Sequence, residues 1–183
     1  MKQLLTLLFL LIQFSLFGQS LAQGRLTDPG ISKQLAEYRV TQVSAIHYRL
    51  KFSIPKKKDE PIGAHLNLEL SVSRLDQPLI LDFNESSEKI KRIVANGSSI
   101  PTIHENEHVI IPTTHLKKGE NRIEVEFVAG DLSLNRNDDF LYTLLVPDRA
   151  STLFPCFDQP NLKANYTLSI TVPKEWEVLA GGR

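Results

Sequence analysis

Several features that mark particular protein classes are scarce in this chain of 183 residues. It has one cysteine, Cys156, so no disulfide can form within the chain. Its 21 basic and 21 acidic side chains give a net charge of zero, which offers no electrostatic attraction to nucleic acid or an anionic membrane. Its longest mostly apolar stretch, Leu4 to Phe17, has about 14 residues, whereas a membrane-spanning helix takes roughly 20. We therefore expect no disulfide framework, no nucleic-acid partner and no stable membrane anchor.

The first 22 residues have the pattern of a secretory signal peptide. Lys2 supplies the positive start, the apolar stretch follows, and Ser20 and Ala22 are small residues at the two positions that a signal peptidase reads. Cleavage after Ala22 would begin the mature chain at Gln23. The sequence therefore predicts export to the periplasm, the cell envelope or the extracellular medium. In such an oxidising compartment a lone thiol needs an explanation, and burial of Cys156 in the core is the simplest one.

Residues 23–42 and 43–183 have different hydrophobic periods. In the first range, Ser32 is placed to cap a short helix that ends by Gln42. In the second range, apolar and polar residues alternate, as Tyr48, Leu50 and Phe52 do with their neighbours, which is typical of strands with one buried face. Further strands are predicted at 66–72, 79–83, 89–95, 109–111, 123–127 and 166–172. The pattern predicts an all-β fold, an antiparallel β-sandwich or saddle with a short N-terminal helix.

One motif suggests a metal site, and its context argues against that interpretation. His104 to His108 reads H-E-x-x-H, in which two histidines bind zinc from one face of a helix. Pro101 and Pro112 enclose the motif, and the β-branched run after His108 favours a strand. The third zinc ligand of such enzymes is a glutamate after a spacer of 18 residues, but Phe127 occupies that position here. We therefore predict a polar hairpin turn from His104 to Glu107, no metal bound by this chain, and no independent metalloenzyme.

The last thirty residues contain the most specific pattern. Phe154-Pro155-Cys156-Phe157-Asp158 is followed by Gln159-Pro160-Asn161-Leu162-Lys163-Ala164, a strand, and Val172-Pro173-Lys174-Glu175-Trp176. In physical terms this is a structural corner. Phe154 and Phe157 are aromatic anchors, the prolines fix the backbone, Asp158 is expected to accept hydrogen bonds from the turn that begins at Gln159, and Trp176 holds the outgoing strand.

This block resembles the signature that closes the N-terminal domain of the aminopeptidase N family of zinc metallopeptidases. The resemblance implies that residues 43–183 form the family's saddle-shaped N-terminal β-domain, without its closing part. In the family, a downstream catalytic domain carries the zinc, the H-E-x-x-H helix and the loop that grips the amino terminus of the substrate. The resemblance therefore implies zinc and peptide substrates for the whole enzyme, and it predicts that this chain alone is inactive.

The same resemblance points to a rim of the substrate pocket. In the family, a loop just before F-P-C-F-D, often containing T-Q-F-E-P, lines the first substrate pocket. The corresponding residues here are Leu144, Leu145 and Val146, between Thr143 and Pro147. Leu144 and Val146 replace an amide and a carboxylate, and they offer only apolar contact. Either the other domain alone holds the substrate amine, or this branch treats the first substrate residue differently, or Leu144 and Val146 are simply strand core.

Two functions of different classes remain at this stage. The first is the non-catalytic front domain of an exported zinc aminopeptidase, which supports the catalytic domain and lines the substrate entrance. The second is a free-standing β-sandwich binding module of the cell envelope. Such a module would expose the apolar face on which a catalytic domain docks, so we expect the isolated chain to fold poorly or to self-associate.

Overall fold

The computed structural model describes residues 25–181, so the predicted signal peptide lies outside the described residues. A single α-helix of the described range, α1 (Lys33–Gln42), precedes the strands. The predicted cap is confirmed, because the Ser32 side chain accepts a hydrogen bond from the Leu35 backbone N–H at 3.1 Å. Helices that are both long and apolar enough to span a bilayer are not found within residues 25–181.

The described residues form eleven strands in three sheets, which confirms the predicted all-β class. The six-stranded sheet has the order β11-β1-β2-β8-β4-β5, the three-stranded sheet the order β3-β7-β6, and β9 pairs with β10. The strands are β1 (Val43–Ser53), β2 (Gly63–Val72), β3 (Leu79–Asp82), β4 (Ile90–Ala95), β5 (Ser98–Ile100), β6 (His104–Glu105), β7 (His108–Ile111), β8 (Gly119–Val128), β9 (Leu134–Arg136), β10 (Leu141–Thr143) and β11 (Asn165–Thr171).

One strand departs from the antiparallel prediction. β11 pairs parallel with β1, in a register that places Tyr48 opposite Tyr166, while the other strand pairs are antiparallel. A parallel neighbour needs a long crossover, and the whole chain between Ser53 and Asn165 provides it. Hydrophobic alternation is the same for either direction, so the sequence pattern could not reveal this pairing. β11 lies at the edge of its sheet and is largely exposed.

The core lies between the six-stranded and the three-stranded sheets. Alternate residues of β2 and β8 face inward, as the period of two predicts, and Leu66, Leu68 and Val125 are fully buried. β3 and β7 differ, because all four residues of each strand are buried. One face of these strands packs on the core cluster, and the other face turns toward α1 and the F-P-C-F-D block. That second face carries the polar groups described next.

Candidate functional site

The F-P-C-F-D block is part of the core. Cys156 is buried, and its backbone exchanges two hydrogen bonds with Asp82, so the block extends the edge of β3. Phe154 packs edge-on against Tyr48, with ring centroids 6.4 Å apart. The Tyr48 hydroxyl accepts a hydrogen bond from the Phe157 backbone N–H at 2.9 Å. The block therefore joins the two sheets, and the predicted burial of Cys156 is confirmed.

The remaining signature residues occupy different environments. Asp158 is half-buried and accepts a hydrogen bond from the Ser151 backbone N–H at 2.8 Å. The prediction that it would bind the turn at Gln159 was therefore wrong, because the block folds back onto the preceding 3-10 turn. Pro155 is buried and Pro160 is exposed. Trp176 is half-buried beyond the end of β11, where its backbone N–H donates to the Pro173 carbonyl.

A buried ionic cluster lies beside the block. Arg39 of α1 is fully buried, and its guanidinium donates to both carboxylate oxygens of Asp82 at 2.6 and 2.8 Å. The same guanidinium donates twice to the Ile80 carbonyl and once to Gln159, and it lies 5.3 Å from the Phe157 ring centroid. Two parallel N–H···O bonds give a strong, directional pair. This arrangement fixes α1 and the signature block to β3.

His108 completes the ionic cluster from β7. It is 1% exposed, and its Nδ1 lies 3.0 Å from Asp82 Oδ1. That contact is an ion pair whose direction is not that of an aligned hydrogen bond. The other ring nitrogen, Nε2, lies 3.0 Å from the backbone carbonyl of Asp28. Asp82 also accepts a hydrogen bond from the Asp158 backbone N–H at 2.9 Å.

The contacts in the cluster shift two pKa values in opposite directions. Burial alone would raise the pKa of Asp82, but His108 and Arg39 stabilise the carboxylate and hold that pKa below its usual value. Burial alone would lower the pKa of His108, but the Asp82 carboxylate and the Asp28 carbonyl raise it above its usual value. Both shifts favour the charged forms, the carboxylate of Asp82 and the imidazolium of His108.

The H-E-x-x-H sequence lies on a β-hairpin, as predicted. Asn106 and Glu107 form its turn with φ of 49° and 70°, and His104 and His108 lie on β6 and β7. His104 contacts the Phe83 carbonyl through Nε2, whereas His108 belongs to the ionic cluster. Within residues 25–181, no group of three or more histidine, cysteine, aspartate or glutamate side chains is placed to hold a metal ion. The geometry of this hairpin does not fit a zinc site.

The predicted rim lies on the protein surface after β10. Leu144 is 51% exposed, Val146 is 86% exposed, and both lie outside the strands, so neither is strand core. Leu145, between them, is half-buried and packs against the core. The Leu144 backbone N–H donates to the Ser133 carbonyl at 3.0 Å, which ties the loop to the start of β9. Leu144 and Val146 are thus exposed to solvent on either side of the half-buried Leu145 in sequence.

The exposed apolar side chains near the rim form a patch, which we call the β9–β10 surface. It comprises Phe140 and Tyr142, whose rings stack with centroids 6.0 Å apart, together with Leu132, Leu144 and Val146. Single exposed apolar residues are ordinary on a protein surface, whereas five within fifteen positions of the sequence make this region a candidate contact surface. A second group of exposed apolar side chains, Tyr166 and Leu168, lies on the edge strand β11.

The described residues thus form an all-β domain, preceded by one short helix, in which the buried F-P-C-F-D block joins the two larger sheets. Residues 44–183 match the family model of the Peptidase M1 N-terminal domain. This match covers well over half of the chain, so the chain belongs to the Peptidase M1 N-terminal domain family.

Individual relatives agree with this assignment over shorter ranges. The chain is 59% identical to human glutamyl aminopeptidase over 34 residues, and 56% identical to the pig enzyme over 34 residues. Those matches span 19% of this chain and 4% of each enzyme. The structure is similar to that of an M1 zinc metallopeptidase from Deinococcus radiodurans, with a TM-score of 0.57 and 17% identity. That alignment covers 73% of this chain and 33% of the solved one, so the chain spans about a third of the neighbour's length.

Sequence reasoning missed the ionic cluster. Arg39 lies in a helix of mixed polar and apolar residues, Asp82 ends an apolar strand, and their positions are 43 residues apart. Neither residue belongs to a local motif, and His108 was noticed only for a zinc pattern that the hairpin does not support. The local signal for the cluster is the charged Asp82 at the end of an otherwise apolar, buried strand, because a buried charge needs a partner.

Proposed function

We propose that this chain is the non-catalytic N-terminal domain of an exported zinc aminopeptidase that removes N-terminal residues from peptides. In this proposal it supports the catalytic domain of the same polypeptide and lines the substrate entrance. The observation that carries the proposal is the β9–β10 surface, which presents Leu144 and Val146 immediately before the buried signature block. Membership of the M1 N-terminal domain family supplies the enzyme class.

The β9–β10 surface supports docking because burying it would be favourable. Apolar surface contributes about 25 cal/mol for each Å² removed from water, so large exposed side chains such as Phe140 and Tyr142 are costly to leave in solvent. Leu145, which is half-buried and packs against the core, and Phe154, which is buried after the loop, fix the loop to the core. A rigidly held apolar loop is suited to shape the entrance of a pocket completed by a second domain.

Zinc belongs to the proposed catalytic domain and not to residues 25–181. When bound there, it would polarise the scissile carbonyl and generate the nucleophilic water. The part of this chain in the proposal is to bind and orient. Leu144 and Val146 have no polar group that could hold an ammonium, so they would contact the substrate only through apolar side chains.

The first test is to read the gene beyond the codon for Arg183. The proposal expects an open frame that encodes an H-E-x-x-H helix with a glutamate after an 18-residue spacer. A stop codon at that point would contradict it and would leave the alternative, a free-standing β-sandwich binding module of the cell envelope. N-terminal sequencing of the exported protein tests the signal peptide, and a mature chain that begins at Gln23 is expected.

The rim is tested in the complete enzyme by Leu144→Gln, Val146→Glu and the double variant. If the rim contacts substrate, these variants change KM for peptides that differ only in their first residue, and they leave zinc content unchanged. Val40→Gln is the matched control, because Val40 is an exposed apolar residue on α1, away from the rim. Equal kinetics for all variants would remove the rim from the proposal.

A further inference from the structure

The buried histidine of the β6–β7 hairpin has no role in the proposed function, and it contacts the start of the described chain. His108 Nε2 lies 3.0 Å from the Asp28 carbonyl, and Asn106 Nδ2 donates to the Thr27 carbonyl at 3.0 Å. Gly30 and Ile31 line a small cleft of about 70 Å³ together with His108 and Asp82. Residues 25–32, which we call the N-terminal segment, are therefore held by the hairpin.

Both ring nitrogens of His108 face oxygen atoms that cannot donate a proton. The Asp28 carbonyl is an acceptor only, and Asp82 is ionised because it accepts two hydrogen bonds from Arg39 and one from the Asp158 backbone. A neutral imidazole carries one N–H, so it would direct a lone pair at one of these oxygens. Only the imidazolium, with an N–H on each nitrogen, combines the hydrogen bond from Nε2 to the Asp28 carbonyl with an attractive charged contact between Nδ1 and Asp82, each at 3.0 Å.

We propose that His108 is a proton-dependent latch, which holds the N-terminal segment on the hairpin when protonated and releases it when neutral. Deprotonation removes one of the two contacts and the positive charge that the Asp82 carboxylate attracts. The Asp82 carboxylate is charged and attracts a proton more strongly than the neutral Asp28 carbonyl, so the remaining N–H stays on Nδ1, and the hydrogen bond from Nε2 to the Asp28 carbonyl is the one that is lost. The neutral hydrogen bond from Asn106 to the Thr27 carbonyl remains.

The surroundings of His108 favour its protonated form. The Asp82 carboxylate faces it from β3, Glu107 of the hairpin turn and Asp148 of the loop before the signature block line the same cleft, and the buried Arg39 guanidinium opposes them from α1. Because the Asp82 carboxylate and the Asp28 carbonyl raise the pKa of His108 above its usual value of 6.5, the stabilisation is fully present below that value. It is lost as pH rises through the folded-state pKa.

Hydrogen–deuterium exchange of the full chain, followed by mass spectrometry, tests the latch. Peptides that cover residues 25–32 are compared from about pH 6 to about pH 9, after correction for intrinsic exchange rates. We expect protection to fall about tenfold across the titration of His108, since a hydrogen bond to a charged group is lost. Protection that stays constant across this range would overturn the proposal. The measurement reads local peptides and is independent of aminopeptidase activity, so it does not depend on the proposed function.

Two variants assign the pH step. His108→Gln is expected to show low protection of residues 25–32 at both ends of the range, with no step. His104→Gln lies on the same hairpin but contacts only the Phe83 carbonyl, and it is expected to keep the step. A step that survives in His108→Gln would refute the latch. If His108→Gln also loses protection in β2 and β8, the variant is unfolded, and an NMR titration of the His108 ring in the wild-type chain replaces it. A His108 pKa at or below the usual 6.5 contradicts the proposal, and a higher pKa supports it.

Discussion

Asp82→Asn is the substitution that should disturb this domain most for the smallest change in shape. Asp82 is 4% exposed; its carboxylate accepts hydrogen bonds from Arg39 and from the Asp158 backbone N–H, and it lies 3.0 Å from Nδ1 of His108 as an ion pair. An asparagine keeps one acceptor and directs an NH₂ group at donors that need an acceptor. It also leaves the guanidinium of Arg39, which has no exposed surface, without its countercharge.

The expected loss follows from that uncompensated charge. Breaking a buried ion pair by neutralising one partner costs about 3–5 kcal/mol, which is a large share of the roughly 5–15 kcal/mol by which domains are stable. Urea denaturation at low protein concentration, followed by circular dichroism, measures the change in the free energy of unfolding. The double variant Arg39→Met/Asp82→Leu should recover much of the loss, because apolar residues of similar volume can replace a buried pair.

The control is a second arginine–aspartate pair of the same chain, which is exposed. Arg74 and Asp76 form a similar ion pair at 2.9 Å, but about half of each side chain is accessible to solvent. We expect Asp76→Asn to leave the denaturation midpoint unchanged, since solvent screens such pairs. If Asp82→Asn were as mild as Asp76→Asn, or if the double variant were the least stable of all, the reasoning about buried charge would be refuted.

Three further predictions follow from single sites. Gly130→Ala should destabilise the domain by about 1–3 kcal/mol or more, because the added Cβ would lie 1.9 Å from the Thr152 carbonyl oxygen. Gly63→Ala is the control in the same denaturation assay, and it should be close to neutral because its Cβ would have nothing within 4 Å. The Cys156 thiol should react with a disulfide reagent only after denaturant is added, because burial raises its pKa well above the usual range; fast labelling of the native chain would contradict this. Because the folded protein holds the pKa of Asp82 below its usual 3.8, the stabilisation of the domain by this carboxylate should be complete above pH 3.8 and should fall as pH drops through the folded-state pKa. An acid-unfolding midpoint equal to that of Asp82→Asn would contradict this.

The sequence predicted those elements whose causes are local. Alternating residues indicated β2 and β8, Ser32 indicated the start of α1, and Asn96-Gly97, with φ of 51° and 86°, formed the predicted turn between β4 and β5. The enclosing prolines and the β-branched run placed H-E-x-x-H on a hairpin instead of a helix. The F-P-C-F-D block indicated the family, because a rare combination of residues at fixed offsets can be recognised in the sequence alone.

Only the tertiary structure decided the pairings between distant residues. The parallel pairing of β11 with β1 places Asn165 opposite His47, 118 positions away in the sequence. An alternation with a period of two does not indicate whether two strands run parallel or antiparallel. Arg39, Asp82 and His108 meet because β3 and β7 pair in the small sheet with Asp82 opposite His108, and α1 packs Arg39 against that face. Each residue alone looks like an ordinary surface group. The sequence by itself thus determined the local elements and the family, whereas long-range packing, which no local pattern encodes, determined which charges are buried together and how they titrate.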